Sequence, residues 1–178
     1  MTIACLGWGS LIWRNDGLHC DGNWRADGPL LPIEFARMSR GGEVTLLILD
    51  GVPAVPVLWS VMEVPTLTVA AENLRIREGR TRREWIGTWS RDGGSTAPRH
   101  EAVAAWARPR DFSGVVWTAL PPKWGEEIGR VPTLPEILDY LSALEPAKQG
   151  RARKYILEAP QQITTTLRPT LTAWAEGH

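Results

Sequence analysis

The stretch Ala4-Cys5-Leu6-Gly7-Trp8-Gly9-Ser10-Leu11-Ile12-Trp13 sets the architecture at the start of the chain. An apolar, strand-like segment runs into a Gly-Trp-Gly-Ser turn and returns at once to apolar residues. Gly7 and Gly9 allow backbone angles that other residues avoid, and they let a ligand approach the main chain. Such a turn can present successive amide N–H donors, which suit a carboxylate or an oxyanion. The alternative interpretation is a tight glycine turn after the first strand, with no ligand.

Strand-like segments dominate the first two thirds of the chain. Apolar runs separated by Gly, Pro and Asp predict seven strands, at 3–6, 32–38, 44–49, 55–64, 85–89, 101–107 and 114–120. Helical spacing of apolar residues predicts three helices, at 66–78, 133–144 and 147–158. Many strands, one embedded helix and a helical C-terminus predict a mixed α+β domain, with a curled or closed sheet and helices at its side.

Composition limits the class of protein and its partners. The 178 residues predict a single domain, 1–178, with a helical C-terminal part at 123–178. Twenty Lys and Arg balance twenty Asp and Glu, so charge supports neither a nucleic acid nor a membrane as partner. The chain shows no signal peptide and no membrane-spanning run, so we expect a cytoplasmic protein. The cysteines and histidines lack metal-ligand spacing, so we expect no metal. The oligomeric state is left open.

Glu78 continues the apolar face of the helix predicted at 66–78. Leu67, Ala71 and Leu74 are spaced four and three residues apart, and four more residues reach Glu78 on the same face. Partial desolvation and the negative end of the helix dipole both disfavour an ionised carboxylate there. Both effects favour proton exchange near neutral pH, which a general base requires. Glu78 is therefore the candidate catalytic residue.

A structural role for Glu78 is the opposing interpretation. Arg75 lies three residues before it and Arg82 four residues after it. An ordinary salt bridge to one of the five arginines that crowd this region would leave the carboxylate inert: Arg75, Arg77, Arg80, Arg82 and Arg83. Cys5 precedes the glycine turn, but no histidine is near it in sequence, which predicts an inert buried thiol. Three tryptophans are interpreted as core residues: Trp13, Trp24 and Trp59.

Together the two motifs resemble those of one enzyme superfamily. Gly7-Trp8-Gly9-Ser10-Leu11-Ile12-Trp13 resembles the Gly-Tyr-Gly-Ser-Leu-Ile-Trp signature of the glutathione-specific gamma-glutamylcyclotransferases, and more broadly the Tyr-Gly-Ser loop of the gamma-glutamylcyclotransferase-like superfamily. Asn73-Leu74-Arg75-Ile76-Arg77-Glu78-Gly79 resembles the helix end that carries its catalytic glutamate. The resemblance covers about the first half of the chain. It implies a small mixed β-barrel flanked by helices, with 1–122 forming mainly the barrel.

The resemblance also implies a reaction. The α-amine of a gamma-glutamyl compound attacks its own γ-carbonyl, which yields 5-oxoproline and releases an amine or a peptide. Glu78 would be the general base, and the main chain of Gly9, Ser10 and Leu11 would bind the substrate. This intramolecular aminoacyl transfer, a lyase or transferase reaction linked in the family to glutathione metabolism, needs no cofactor. The alternative is a non-catalytic module on the same fold that binds a small molecule or a protein.

Two positions depart from the family pattern. Trp8 stands where the signature has tyrosine, and Trp85 stands where a substrate-contacting tyrosine follows the glutamate. Each residue keeps an aromatic ring and loses a hydroxyl. We expect Trp8 and Trp85 to contact the substrate in a drier pocket, which favours a leaving group different from that of glutathione.

Overall fold

The computed structural model describes residues 2–14, 16–94 and 100–177. The strands are β1 (Thr2–Gly7), β2 (Leu30–Met38), β3 (Val44–Ile48), β4 (Ala54–Pro56), β5 (Leu58–Met62), β6 (Ile86–Ser90), β7 (Phe112–Thr118), β8 (Lys123–Trp124) and β9 (Glu127–Ile128). The helices are α1 (Leu67–Arg77), α2 (His100–Ala107), α3 (Leu134–Ala143), α4 (Pro146–Glu158) and α5 (Arg168–Glu176). The chain divides into two compact units, one from Met1–Leu31 with Pro56–Leu120 and one from Pro32–Val55 with Pro121–His178.

The first unit contains a mixed sheet of four strands, in the order β5-β1-β7-β6. β1 is antiparallel to β5, with Cys5 opposite Ser60, and parallel to β7, with Cys5 opposite Val116. β6 is antiparallel to β7, with Ile86 opposite Thr118. Because β1 and β7 are parallel, both strands end at the same edge of the sheet, which we call the carboxyl edge. The glycine turn leaves β1 at this edge.

α1 covers one face of that sheet. Ala70 and Leu74 are fully buried in a core cluster that also contains Cys5 and Val116. The Thr66 hydroxyl caps the helix by accepting the Val69 N–H, and Glu78 is the C-cap. Gly79 follows in the left-handed conformation, with φ of 77°. The helix predicted at 66–78 is therefore confirmed, including both of its ends.

The strand predicted at 101–107 is wrong, because these residues fold as α2. The buried side chains Val103, Ala104, Trp106 and Ala107 recur at helical spacing, and alanine is the strongest helix former. Trp106 packs with Phe112 of β7 and Trp59 of β5 in an aromatic cluster, with ring centroids 5.0–5.6 Å apart. The apolar run therefore predicted correctly that these residues are buried, but it predicted a strand where the residues form a helix.

The segment predicted as one strand at 55–64 is divided. β4 pairs with β2 and β5 pairs with β1, and Val57 separates them. Pro56 has no N–H to donate to a strand ladder, which explains the break at this position.

The second unit combines a second mixed sheet with three helices. Its strand order is β3-β2-β8-β9, and β4 also pairs with β2. α3 begins with a capping box, in which Thr133 and Glu136 exchange hydrogen bonds. The helices predicted at 133–144 and 147–158 are confirmed as α3 and α4, and α5 is an additional helix. The buried Glu34 of β2 accepts N–H groups from Phe35 at 2.9 Å and from Leu167, just before α5, at 3.1 Å.

The predicted α+β class is confirmed. Within the described ranges, the strands form two sheets, and neither closes on itself. None of the helices described is long and apolar enough to cross a lipid bilayer.

Candidate functional site

α1 carries Glu78 to the carboxyl edge of the first sheet. At the start of the helix, Leu67 packs on Gly114, where a Cβ atom would lie only 2.9 Å from the leucine Cδ1. The middle of α1 packs on Val116, two residues further along β7. A helix rises about 1.5 Å per residue and a strand about 3.3 Å, which brings the last turn of α1 level with Thr118. Glu78 therefore lies at the edge from which the glycine turn leaves.

One guanidinium joins Glu78 to the glycine turn. Arg77 Nη1 donates to Glu78 Oε1 at 2.7 Å, and Arg77 Nη2 donates to Ser10 Oγ at 3.4 Å. Nη2 also donates to the carbonyl oxygen of Arg14. The Arg77 and Glu78 side chains are only 9% and 15% exposed, so water screens their ion pair little. The helix end and the turn that the sequence singled out thus contact the same side chain.

The glycine turn itself is a short helical turn. The N–H of Ile12 donates to the carbonyl of Gly9 at 3.0 Å, and the N–H of Arg14 donates to that of Ser10 at 2.9 Å. In the part of the chain that the structure describes, the N–H groups of Gly9, Ser10 and Leu11 have no intramolecular acceptor. These three amides are the donors that the sequence predicted for a substrate carboxylate or oxyanion.

The conformational argument for Gly7 and Gly9 is wrong. Neither glycine has a positive φ, so neither position needs the left-handed backbone that glycine permits. At Gly7 the requirement is space, because a Cβ atom there would lie 2.6 Å from the ring of Trp24. The Trp24 ring packs against the core, as predicted, but its buried Nε1 has no acceptor among the described residues.

The two indoles predicted to contact the substrate lie on segments at the carboxyl edge. Trp8 directly follows β1 and is buried. Trp85 directly precedes β6, and its carbonyl accepts the N–H of Ala119 at 2.8 Å just beyond β7. The guanidinium of Arg82 lies 5.1 Å from the ring centroid of the half-buried Trp85, in cation–π geometry. Topology therefore brings both indoles to the end of the sheet that holds Glu78.

Among the five arginines near Glu78 in the sequence, its ion-pair partner is Arg77, and not either of the two singled out by spacing. Arg75 binds Glu72 instead, with Nε and Nη2 donating to the two carboxylate oxygens at 2.8 and 2.7 Å. Arg82 lies beside Glu84, at 3.8 Å. Spacing rules within a helix consider neighbours three and four residues apart. The guanidinium that reaches Glu78 is instead that of the adjacent residue, Arg77.

Thr118 is a further polar group at the carboxyl edge that sequence analysis missed. Its alternation with Gly114 and Val116 places it on the face of β7 that α1 covers. Its hydroxyl is buried and makes no hydrogen bond within the described residues. A buried hydroxyl without a partner costs free energy, which marks Thr118 as a candidate ligand contact. No local signal identifies this threonine, because its position depends on the pairing of β7 with β6 and β1.

Cys5 is held as a protonated thiol. Burial raises its pKa well above the ordinary value, and the charges of Cys20 and Glu78 raise it further, while Arg77 lowers it. A thiol in this state is a poor nucleophile, which agrees with the inert role predicted for Cys5.

No group of three or more His, Cys, Asp or Glu within the described ranges could hold a metal ion. Comparisons with protein-family models, with curated proteins and with solved structures returned no match. The function is therefore inferred from the geometry of the carboxyl edge.

Proposed function

We propose that this chain is a gamma-glutamylcyclotransferase-like enzyme that converts a gamma-glutamyl compound to 5-oxoproline and a free amine or peptide. The observation that carries the proposal is the pair of contacts from Arg77, one to Glu78 and one to Ser10. These contacts bring together a carboxylate and a turn with three unpartnered amide donors. The reaction needs one proton carrier and one group of donors for negative charge.

Glu78 is the proton carrier in this mechanism. Arg77 binds Oε1, and Oε2 has no donor among the described residues, so Oε2 is available to the substrate ammonium. Glu78 removes a proton, the neutral amine attacks the γ-carbonyl carbon, and the amide C–N bond then breaks. The two protons that the attacking nitrogen loses end on the leaving nitrogen by way of Glu78. The reaction therefore consumes no water, no electron and no net proton.

The amides of Gly9, Ser10 and Leu11 bind either the α-carboxylate of the substrate or the oxyanion that develops on the γ-carbonyl. Both roles use donors that are fixed before the substrate arrives. The nucleophile and the electrophile belong to one molecule, so holding the substrate in a bent conformation supplies much of the rate enhancement.

Trp8 and Trp85 form the apolar walls of the proposed substrate site. Neither residue supplies the hydroxyl that tyrosine provides in the family that the two motifs resemble, so the preferred leaving group differs from that of glutathione. The β-barrel, the single domain over 1–178 and the cytoplasmic location remain predictions that accompany this assignment.

The second candidate function is a non-catalytic binding module for a small molecule or a protein. The ion pair with Arg77 favours it, because one carboxylate oxygen of Glu78 is already occupied by a guanidinium, a group that itself suits an anionic ligand. In this alternative the amides and Arg77 hold an anionic ligand without turnover.

Incubation with a panel of gamma-glutamyl peptides and gamma-glutamyl amines, followed by mass spectrometry for 5-oxoproline, tests the proposal. We expect the Glu78→Gln variant to lose activity by about 10²–10⁴-fold, the usual contribution of a general base. Glu63→Gln, at an exposed carboxylate just before α1, is the matched control and should retain activity. Activity in Glu78→Gln equal to that of the wild type would exclude the mechanism. Saturable ligand binding without product would favour the binding module.

A further inference from the structure

An open cleft of about 580 Å³ lies between α1 and β6 in the first unit. Its volume is within the range of small-molecule sites, about 300–1,000 Å³. Glu78 and Ser10 are not among the described residues that line it. Apolar side chains form the floor of the cleft, namely Leu67, Ala71 and Ile86. The cleft is therefore a second candidate binding site, separate from the proposed catalytic groups.

The floor can receive an apolar ligand body. Leu67 and Ala71 lie one turn apart on α1, and both are only half-buried, so they expose a continuous apolar strip. Ile86 of β6 is buried beside this strip. Covering the strip with an alkyl chain would remove apolar surface from water, which is favourable in proportion to the area covered.

The charged residues at the rim of the cleft differ in whether they already bind a partner of opposite charge. Glu72 and Arg75 bind each other through two hydrogen bonds, and Arg75 Nη1 also donates to the Thr81 carbonyl at 3.0 Å. Hydrogen bonding to Arg75 lowers the pKa of Glu72, and the charge of Arg83 lowers it further, so this carboxylate stays ionised and paired. These two groups are thus already satisfied by each other.

Arg83 is the available cation at the rim. It is exposed, and within the described ranges its guanidinium makes no hydrogen bond and no ion pair shorter than 4.0 Å. The nearby carboxylate of Glu84 lies 3.8 Å from the guanidinium of Arg82, so Glu84 already has a cation beside it. A guanidinium offers five N–H donors in a planar fork that matches a carboxylate.

We propose that this cleft binds a monoanionic amphiphile, a medium-chain carboxylate whose alkyl chain lies on the Leu67–Ala71–Ile86 floor and whose carboxylate pairs with Arg83. Charge complementarity selects this occupant, because Arg83, an exposed cation with no hydrogen bond and no ion pair within 4.0 Å among the described residues, borders an apolar floor. The site does not depend on turnover at Glu78, so it stands or fails separately from the proposed enzymatic activity.

Octanoate is the probe, and isothermal titration calorimetry together with NMR shift mapping is the measurement. We expect saturable binding with shifts at α1 and β6, and a loss of affinity of about tenfold in Arg83→Gln, the effect of losing one charge-assisted hydrogen bond. Ala71→Leu should weaken binding by narrowing the cleft, and thermal unfolding shows whether this variant is folded. Arg80→Gln is the matched control, because Arg80 is exposed nearby and does not line the cleft.

Two comparison ligands identify the occupant. Octanol lacks the carboxylate, and 2-aminooctanoate adds an ammonium group to it, so both should bind at least about fivefold more weakly than octanoate. Equal or tighter binding of either ligand would overturn the monoanion assignment. Equal octanoate affinity of the wild type and Arg83→Gln, or shifts confined to other parts of the chain, would overturn the site.

Discussion

Arg77 Nη1 lies 2.7 Å from Glu78 Oε1, although the two residues are adjacent in sequence at the end of α1. Glu78 is the C-cap of the helix, and its carboxylate accepts the hydrogen bond from the guanidinium of the residue before it. The same guanidinium reaches the turn after β1, at Ser10 and at the carbonyl of Arg14. Arg77 is therefore the side chain that connects the proposed base to the proposed substrate-binding turn.

Replacing Arg77 should damage both stability and turnover. Arg77→Gln leaves the mostly buried Glu78 without its cation, which should lower the free energy of unfolding by about 3 kcal/mol. The proposed activity should fall by tenfold or more, because the carboxylate is no longer held beside the turn. Urea unfolding and 5-oxoproline release measure the two effects. Arg80→Gln, at an exposed position, should change neither. An unchanged midpoint in Arg77→Gln would contradict the tethering role.

We expect the Thr118 hydroxyl to lower the stability of the fold and to contribute to ligand binding. Thr118→Val removes a buried hydroxyl that has no partner in the described part of the chain, so stability should rise by about 1 kcal/mol. The half-buried side chain can rotate its hydroxyl towards a ligand, so KM for the gamma-glutamyl substrate should rise about tenfold.

Thr165 provides the matched control for Thr118. Its hydroxyl is also buried and unpartnered among the residues described, and it belongs to the second unit. Thr165→Val should therefore raise the thermal midpoint and leave KM unchanged. A loss of stability in Thr118→Val, with no change in KM, would assign the hydroxyl a purely structural role.

Gly7 should not tolerate a side chain. In Gly7→Ala the new Cβ atom would lie 2.6 Å from Trp24, so the ring must move, and we expect a loss of about 1–3 kcal/mol. Gly150→Ala in α4 is the control, because nothing lies within 4 Å of its Cβ position and alanine favours a helix. Its stability should rise by about 0.5–1 kcal/mol. Chemical denaturation of both variants measures the difference. Unchanged stability in Gly7→Ala would show that the Trp24 ring moves aside without a loss of free energy.

Asp21 should contribute an acid-dependent part of the stability. Burial would raise its pKa, but hydrogen bonds from Arg25, Ser60 and the Asn23 N–H outweigh burial and lower the pKa to about 2. The unfolded state therefore binds the proton more readily, and the stabilisation is complete above about pH 4 and lost as the pH falls towards 2.

The Asp21→Asn variant tests this acid dependence. The wild type should lose about 2 kcal/mol of stability between pH 5 and pH 2 through Asp21, and Asp21→Asn should lose correspondingly less. Urea unfolding at a series of pH values measures the slope. Parallel curves for the two proteins would contradict the assignment.

Local signals in the sequence were sufficient for most individual elements. The apolar run before the glycine turn predicts β1, and the helical spacing of apolar residues predicts α1. The same spacing predicts α3 and α4. Prediction failed at 101–107, because a short apolar run fits strand and helix patterns alike and alanine content decided for the helix.

The candidate site required more than local signals. Glu78 and the Gly9–Leu11 amides could each be singled out, since one ends a helix and the others follow a strand. Arg77 was one of five arginines noted near Glu78, but spacing singled out Arg75 and Arg82, because neighbouring residues on a regular helix do not face each other. Thr118 and the Arg83 cleft had no local signature at all.

The sequence by itself determined the α+β class, the ends of α1 and the two segments that carry the proposed chemistry, because periodicity, caps and turns act over a few residues. Only the tertiary structure decided that these segments meet. The parallel pairing of β1 with β7 sends both strands to one edge, and the packing of α1 on Gly114 and Val116 carries Glu78 to that same edge. Such register arises from contacts between residues far apart in the chain, which no local pattern encodes.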